Sequence, residues 1–270
     1  MIDLHTHTVA SDGSMTSSEL VKHAIENNIE AIAITDHDGI GGLIETNELE
    51  VVPGIELSVE SDTETHILGY YIDPNHPKLL AALDGILEVR MQRNYEYSAK
   101  LKKLGFDVSV EEAAALAPNG VIARAHFAKV MAMKGYSKSV KDAFDDYLSN
   151  GKPAYSSLQY LTAAQGVELI KAAGGVAYVA HLNLINMDDE PLKKLIIKLM
   201  DYGLDGIEGY YTEYKPEHEY KYQKMARDLG IKISGGTDFH GAMKPHIVIG
   251  RGYGNMNVPY EILNIMRKEI

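Results

Sequence analysis

Short apolar segments alternate with amphipathic stretches along this chain, and that alternation limits the fold more than any other feature. Apolar runs at residues 2–4, 31–34 and 51–55 are separated by amphipathic stretches at 17–27 and 39–48, the spacing of parallel βα units. Ser17 or Ser18 is a plausible N-cap for the first helix, with Thr16 as another candidate. A further strand is expected at 65–72. The pattern then changes: a helical run extends from 77 to 104 and ends at Gly105, and residues 110–116, 122–134 and 139–148 add helical patterns with no convincing strand between them. Alternation resumes with a helix at 163–173, a strand at 175–180, a helix at 190–201 and a strand at 206–208. A helix at 216–229, strands at 231–234 and 247–249, and a helix near 259–268 complete the chain. Six or seven parallel units around one insertion predict an α/β barrel, closed or nearly so, from residues 1–76 and 152–270. Residues 77–151 would be a long helix and a small all-helical domain. A chain of 270 residues that is 45% hydrophobic can bury one such core.

The polar residues fall at the ends of these strands. His5 and His7 follow the first, and side chains two apart on an extended chain share a face, so both imidazoles can reach one ion. Asp12 lies in the loop beyond. Asp36 and His37 follow the second strand, Glu56 the third, and His66 opens the hairpin-like segment after it; His181 follows 175–180, and Asp238 and His240 follow 231–234. In α/β barrels the C-terminal strand ends form the active-site face, so five strands aim imidazole or carboxylate groups at one place. Singly, each has an ordinary reading: an HxH pair is often incidental, Asp12 suits a turn, and His181 suits a satisfied core position. Together they do not, because six of the eleven histidines sit at strand ends, whereas His23 and His218 fall on helices.

Cysteine is absent, so any metal must rest on nitrogen and oxygen, a ligand set for zinc, manganese or iron rather than calcium. Nine candidates (His5, His7, Asp12, His37, Glu56, His66, His181, Asp238 and His240) exceed the roughly four to six ligands of one ion, so two or three ions are expected. A multinuclear site clamps the oxygens of a phosphoryl centre and acidifies a bridging water, which makes phosphoester hydrolysis the natural reaction class. The formal net charge of -12 argues against broad adhesion to nucleic acid such as duplex DNA, yet bound cations would reverse the sign where a phosphate docks. The first residues, MIDLHTHTVASDG, lack the features of a secretory signal, and no apolar run approaches the ~18 residues of a membrane span, so a cytoplasmic protein without a membrane partner is expected. No obligatory protein partner is evident.

His5-Thr6-His7, Asp12-Gly13, Thr35-Asp36-His37-Asp38, Gly54-Ile55-Glu56, Ala180-His181 and Asp238-Phe239-His240-Gly241 resemble, in order and over essentially the whole chain, the motifs of the PHP (polymerase and histidinol phosphatase) superfamily. The resemblance implies a distorted (β/α)7 barrel with a trinuclear site. His5, His7, Glu56 and Asp238 would hold one ion, Glu56 bridging to a second held by His66 and His181, while Asp12, His37 and His240 would hold the third. Manganese is the first expectation, with zinc or iron as alternatives.

The insertion resembles one branch of that superfamily. Residues 122–128, IARAHFA, are similar to an element of phosphoesterases acting on 3',5'-nucleoside bisphosphates and RNA 5' ends, with Ala125 where proline is usual. Tyr147-Leu148, residues 151–155, and Arg90, Arg93 and Asn94 strengthen the likeness. Arg124 would then clamp phosphate through its planar fork, and His126 would bind phosphate or protonate the leaving oxygen. Lys152 and Arg93 would add charge to the substrate pocket. Tyr155, Tyr210 and Tyr211 could stack on a base, although packing is the simpler role. The implied function is hydrolysis of a phosphomonoester in a 3',5'-nucleoside bisphosphate, for example adenosine 3',5'-bisphosphate to AMP, or of the 5' end of short RNA, through a hydroxide bridging the metals. Asp238, Arg124 and His126 are the side chains expected to matter beyond ligation. The alternatives are a histidinol-phosphate or other small-molecule phosphatase, which would not need the insertion, and a non-catalytic metal-stabilised scaffold, which would not need all nine ligands.

Overall fold

A computed structural model describes residues 1–60, 65–117, 121–156 and 160–268. Seven strands, β1 (Ile2–Thr6), β2 (Ala31–Ile34), β3 (Glu50–Val59), β4 (Thr65–Tyr70), β5 (Val176–Val179), β6 (Gly206–Tyr211) and β7 (Lys232–Gly236), form one sheet in chain order. The ends of that sheet meet: His7 N donates to Phe239 O at 2.9 Å and Phe239 N to His5 O at 3.2 Å. At Gly236 the approach is so close that a Cβ would lie 2.3 Å from His5 N. The result is a nearly closed barrel whose β1, β2 and β5 are buried along their whole length, as parallel strands covered on both faces are.

One strand departs from the expected parallel series. β4 runs antiparallel to both β3 and β5. Only residues 60–64 separate β3 from β4, too few for a parallel crossover of a dozen residues or more, so a hairpin results and His66 starts the returning strand.

The helices are α1 (Ser17–Glu26), α2 (Pro77–Lys103), α3 (Val110–Ala114), α4 (Arg124–Met133), α5 (Val140–Ala143) with a π turn after it, α6 (Ala163–Ala172), α7 (Asp189–Met200), α8 (Pro216–Leu229) and α9 (Glu261–Arg267). Thr16, rather than Ser17 or Ser18, caps α1, in a reciprocal capping box with Glu19. Pro77 opens α2 at a position where its missing N–H costs nothing, and Gly105, at φ +88°, lets the chain leave after it. The first half of α2 packs on the barrel through Leu79, Leu83 and Ile86, while its second half joins Phe127, Met131 and Leu148 in a separate core through Tyr97 and Leu101. The insertion thus has its own hydrophobic centre and is carried on a helix rooted in the barrel.

Two expected elements are replaced. Residues 39–48 form a loop, because Gly42 is needed against Asp36, where a Cβ would lie 2.0 Å from Oδ2, and two adjacent glycines weaken a helix. Residues 247–249 form no strand and, among the described residues, make only a bridge between Val248 and Gly252. No helix among the described residues is long and apolar enough to cross a membrane.

Candidate functional site

All nine expected ligands converge at the barrel mouth, arranged around Glu56. Its Oε2 lies 3.2 Å from His5 Nε2, 3.2 Å from His7 Nε2 and 3.1 Å from His37 Nδ1. Oε1 lies 2.8 Å from His66 Nδ1 and 2.9 Å from His181 Nε2. Asp238 Oδ1 faces His7 Nε2 at 3.2 Å and His240 Nδ1 at 3.3 Å, and Asp12 Oδ1 faces His240 Nε2 at 3.2 Å. Three overlapping groups have ligand atoms within 4.8 Å of one another: His5, His7, Glu56 and Asp238; His7, Asp12, His37 and His240; and His37, Glu56 and His66. His181 joins through Glu56.

The atoms turned inward lack ordinary partners. His5 Nε2, His7 Nε2, His37 Nδ1, Asp12 Oδ1 and Glu56 Oε2 are buried without a hydrogen bond. Such groups are costly to bury unless something else satisfies them, and a shared cation would. The donor set fits divalent metal ions.

The electrostatics agree. Burial works to raise the three carboxylates, but the groups that face them hold them well below their usual range: the imidazoles, led by His37, for Glu56; those led by His240 for Asp12; and Lys244, then His240 and His5, for Asp238. They are ionised near neutrality. Burial drives His37 well below its ordinary value and lowers His240, leaving neutral rings able to ligate. At His7 burial also pushes down, but hydrogen bonds to Asp238 and Glu56 prevail and the pKa rises to about 9.

Local backbone geometry places these groups. Asp38, His181 and Asp238 have positive φ (50°, 25° and 56°), an uncommon conformation for residues other than glycine that gathers here at strand ends. Asp36 is a brace: Oδ1 accepts from Thr8 N at 2.8 Å and Ser11 Oγ at 2.6 Å, and Oδ2 from Thr8 Oγ1 at 2.7 Å, fixing the loop that presents Asp12.

Two supporting side chains escaped the sequence reading. Glu208 on β6 holds His5 Nδ1 at 2.9 Å and accepts from His181 N at 2.6 Å, so one carboxylate orients two candidate ligands. Lys244 Nζ lies 2.6 Å from Asp238 Oδ2, which also accepts from the Tyr211 hydroxyl at 3.2 Å. The only signal for Glu208 was a carboxylate within an otherwise apolar strand. Glu208→Gln retains an acceptor for one of these bonds and not both. Chelator competition should show metal affinity about 10- to 100-fold weaker; unchanged affinity would remove Glu208 from the support of the centre.

The insertion reaches the same mouth. Val121 N donates to Ala10 O at 2.9 Å, and Lys129 Nζ lies 3.7 Å from Met243 Sδ. His126 is buried near the start of α4, and its Nδ1 accepts from Ala123 N at 2.9 Å, which leaves the proton of the neutral ring on Nε2. Burial lowers its pKa, Arg90 and Lys129 add to that, and the charge of Asp12 opposes it. Arg124 donates to Leu148 O at 3.3 Å and lies over the Tyr155 and Phe144 rings at 5.5 and 5.8 Å. Arg93 is buried beside the Tyr97 ring, with its pKa lowered to about 10 by burial and then by Arg90. Arg90 is ion-paired to Asp38. Lys152 is exposed on the turn after the π segment, and no contact among the described residues brings its side chain to these groups.

Residues 3–236 match the PHP domain. The chain belongs to the PHP family. Among PHP proteins of named activity, the 5'-3' exoribonuclease Rnm of Escherichia coli (strain K12) is 34% identical over 258 residues, covering 92% of this chain and 88% of the relative. The 3',5'-nucleoside bisphosphate phosphatase of Chromobacterium violaceum is 34% identical over 247 residues, covering 88% and 87%. The PHP fold described above superposes on a Chromobacterium violaceum structure described as an amidohydrolase with bound sulfate and no metal, with a TM-score of 0.90, 30% identity, and coverage of 99% and 96%.

Proposed function

We propose that this PHP protein is a metal-dependent phosphoesterase acting on 3',5'-nucleoside bisphosphates and on the 5' ends of short RNA. The observation that carries this reading is the set of nine candidate ligands around Glu56, with inward atoms left unsatisfied, beside an insertion tied to the loop before Asp12 by the bond from Val121 N to Ala10 O. The names of two relatives, a bisphosphate phosphatase and a 5'-3' exoribonuclease, support the substrate class. We assign His5, His7, Glu56 and Asp238 to one ion, Glu56, His66 and His181 to a second, and Asp12, His37 and His240 to a third, with manganese foremost. Bound there, divalent ions would polarise the phosphoryl oxygens and acidify water.

The remaining roles belong to the chain. Arg124 clamps the phosphate at the 5' position of the nucleotide, and Arg93 and, from its exposed turn, Lys152 add positive charge. His126 donates a hydrogen bond from Nε2 to the departing 3'-oxygen, which takes its proton from water. Asp238 keeps one oxygen among the imidazoles while Lys244 and Tyr211 hold the other, so its orientation is fixed before substrate arrives. Both substrates break the same bond, between a nucleoside 3'-oxygen and phosphorus, so one pocket serves both.

Replacing Arg124 with Ala tests the clamp. KM for adenosine 3',5'-bisphosphate should rise about 10- to 100-fold, the value of a charged hydrogen-bonded contact, while p-nitrophenyl phosphate, which lacks the second phosphate, should be little affected. Equal effects on the two would sink the bisphosphate assignment.

A further inference from the structure

The loop after Asp238 carries a feature that the hydrolytic centre does not use. Ile247 and Ile249 are buried, whereas His246 and Val248 beside them are turned outward, an alternation of the kind a strand at 247–249 would show. Val248 and Gly252 exchange backbone hydrogen bonds of 2.8 Å in both directions, and Gly250 N donates to Asp3 Oδ2 at 2.8 Å. Gly252, at φ +56°, sits so close to Thr212 that a Cβ would lie 2.8 Å from its hydroxyl. The loop is therefore pinned to the barrel. On its outer side the His246 and Tyr253 rings stack, with centroids 5.7 Å apart and planes 18° from parallel, and Tyr253 is 54% exposed. At its inner end is Lys244, in contact with Asp238. Thr212, against which Gly252 rests, donates from its hydroxyl to Thr237 O at 2.7 Å, one residue before Asp238, so the loop that carries the ring stands beside the barrel mouth. A flat, fixed aromatic surface beside a hydrolytic centre suits an unpaired base.

We propose that His246 and Tyr253 form a stacking platform for the base of the second nucleotide of an RNA substrate. The inference rests on the phosphoesterase reading above. A bisphosphate and an RNA 5' end share the first nucleoside and the scissile phosphate; the RNA differs in carrying a second nucleoside beyond that phosphate. With the first nucleotide held by Arg124 and His126, the second leaves past the Asp238 and Lys244 side of the cluster, where the platform stands. Stacking accepts any base, which suits an enzyme trimming ends of varied sequence.

Tyr253→Ala, alone and with His246→Ala, separates the substrates. KM for a 5'-phosphorylated trinucleotide should rise about tenfold, with kcat/KM for adenosine 3',5'-bisphosphate unchanged. Equal losses on both substrates, or no loss on the trinucleotide, overturn the platform. A readout without turnover uses a phosphorothioate-linked trinucleotide with 2-aminopurine at the second position. Its fluorescence should be quenched by the wild-type protein and not by Tyr253→Ala, and absence of quenching by the wild type overturns the platform. Wild-type inertness toward both substrates would instead sink the phosphoesterase reading, and the quenching would still decide the platform.

Discussion

Glu56→Gln should abolish phosphoester hydrolysis, lowering kcat/KM by at least about 10³-fold, or ~4 kcal/mol of transition-state stabilisation. Glu56 Oε2 faces His5, His7 and His37, and Oε1 faces His66 and His181, so both oxygens are committed. Glutamine keeps the shape but turns one oxygen into an NH₂ donor. That donor would point at imidazole nitrogens that must offer lone pairs, and the anionic charge at the centre of the cluster would be gone. The fold should survive, because the change is nearly isosteric, so metal content should fall together with rate while the melting temperature of the metal-free protein changes little. A variant that retains a full metal complement and more than a tenth of the activity would show that Glu56 is not the hub.

Asp38→Ala should cost about 3–5 kcal/mol of stability, the penalty for leaving a buried charge without its partner. The partner is Arg90, itself 4% exposed, which pairs with Asp38 and also donates to Ile122 O at 3.4 Å. Asp38 Oδ1 accepts from Ser58 N at 2.7 Å, and Asp38 N donates to Glu56 O at 2.9 Å, so one residue fastens the loop after β2 to β3 and to the long helix that carries the insertion. Its φ of 50° adds to the loss, since alanine tolerates that region less well than aspartate or asparagine. Asp38→Asn keeps an acceptor and the backbone preference and should lose less. Denaturant unfolding of the two variants measures the difference, and a loss below about 1 kcal/mol for alanine would mean that Arg90 finds another partner.

The convergence of the nine candidate ligands was legible because period-two strands and the common direction of their C-terminal ends convert sequence spacing into a shared location. His5 and His7, or Asp238 and His240, need nothing more than a strand before them to be aimed together. The antiparallel β4 was harder to read: a hairpin-like start at His66 was visible, but the short 60–64 connection had to outweigh the run of parallel units around it. The helix expected at 39–48 failed because two glycines and the approach of Gly42 to Asp36 override an amphipathic pattern. Residues 247–249 do alternate as a strand should, yet among the described residues their bridge partner is Gly252 alone, and pairing cannot be read from one segment alone. Glu208, Lys244 and the Arg90–Asp38 pair were missed for a common reason: each matters through a partner distant in the chain or in a loop, where spacing carries no geometric information.

The most direct test of the account is product release from three substrates by the manganese-loaded protein: adenosine 3',5'-bisphosphate, histidinol phosphate and a 5'-phosphorylated RNA trinucleotide, each repeated after chelation. The account predicts hydrolysis of the bisphosphate or the trinucleotide well above histidinol phosphate, and loss of all activity when the metal is removed. Preference for histidinol phosphate would contradict the roles given to Arg124 and the insertion, and activity that survives chelation would contradict the metal centre itself.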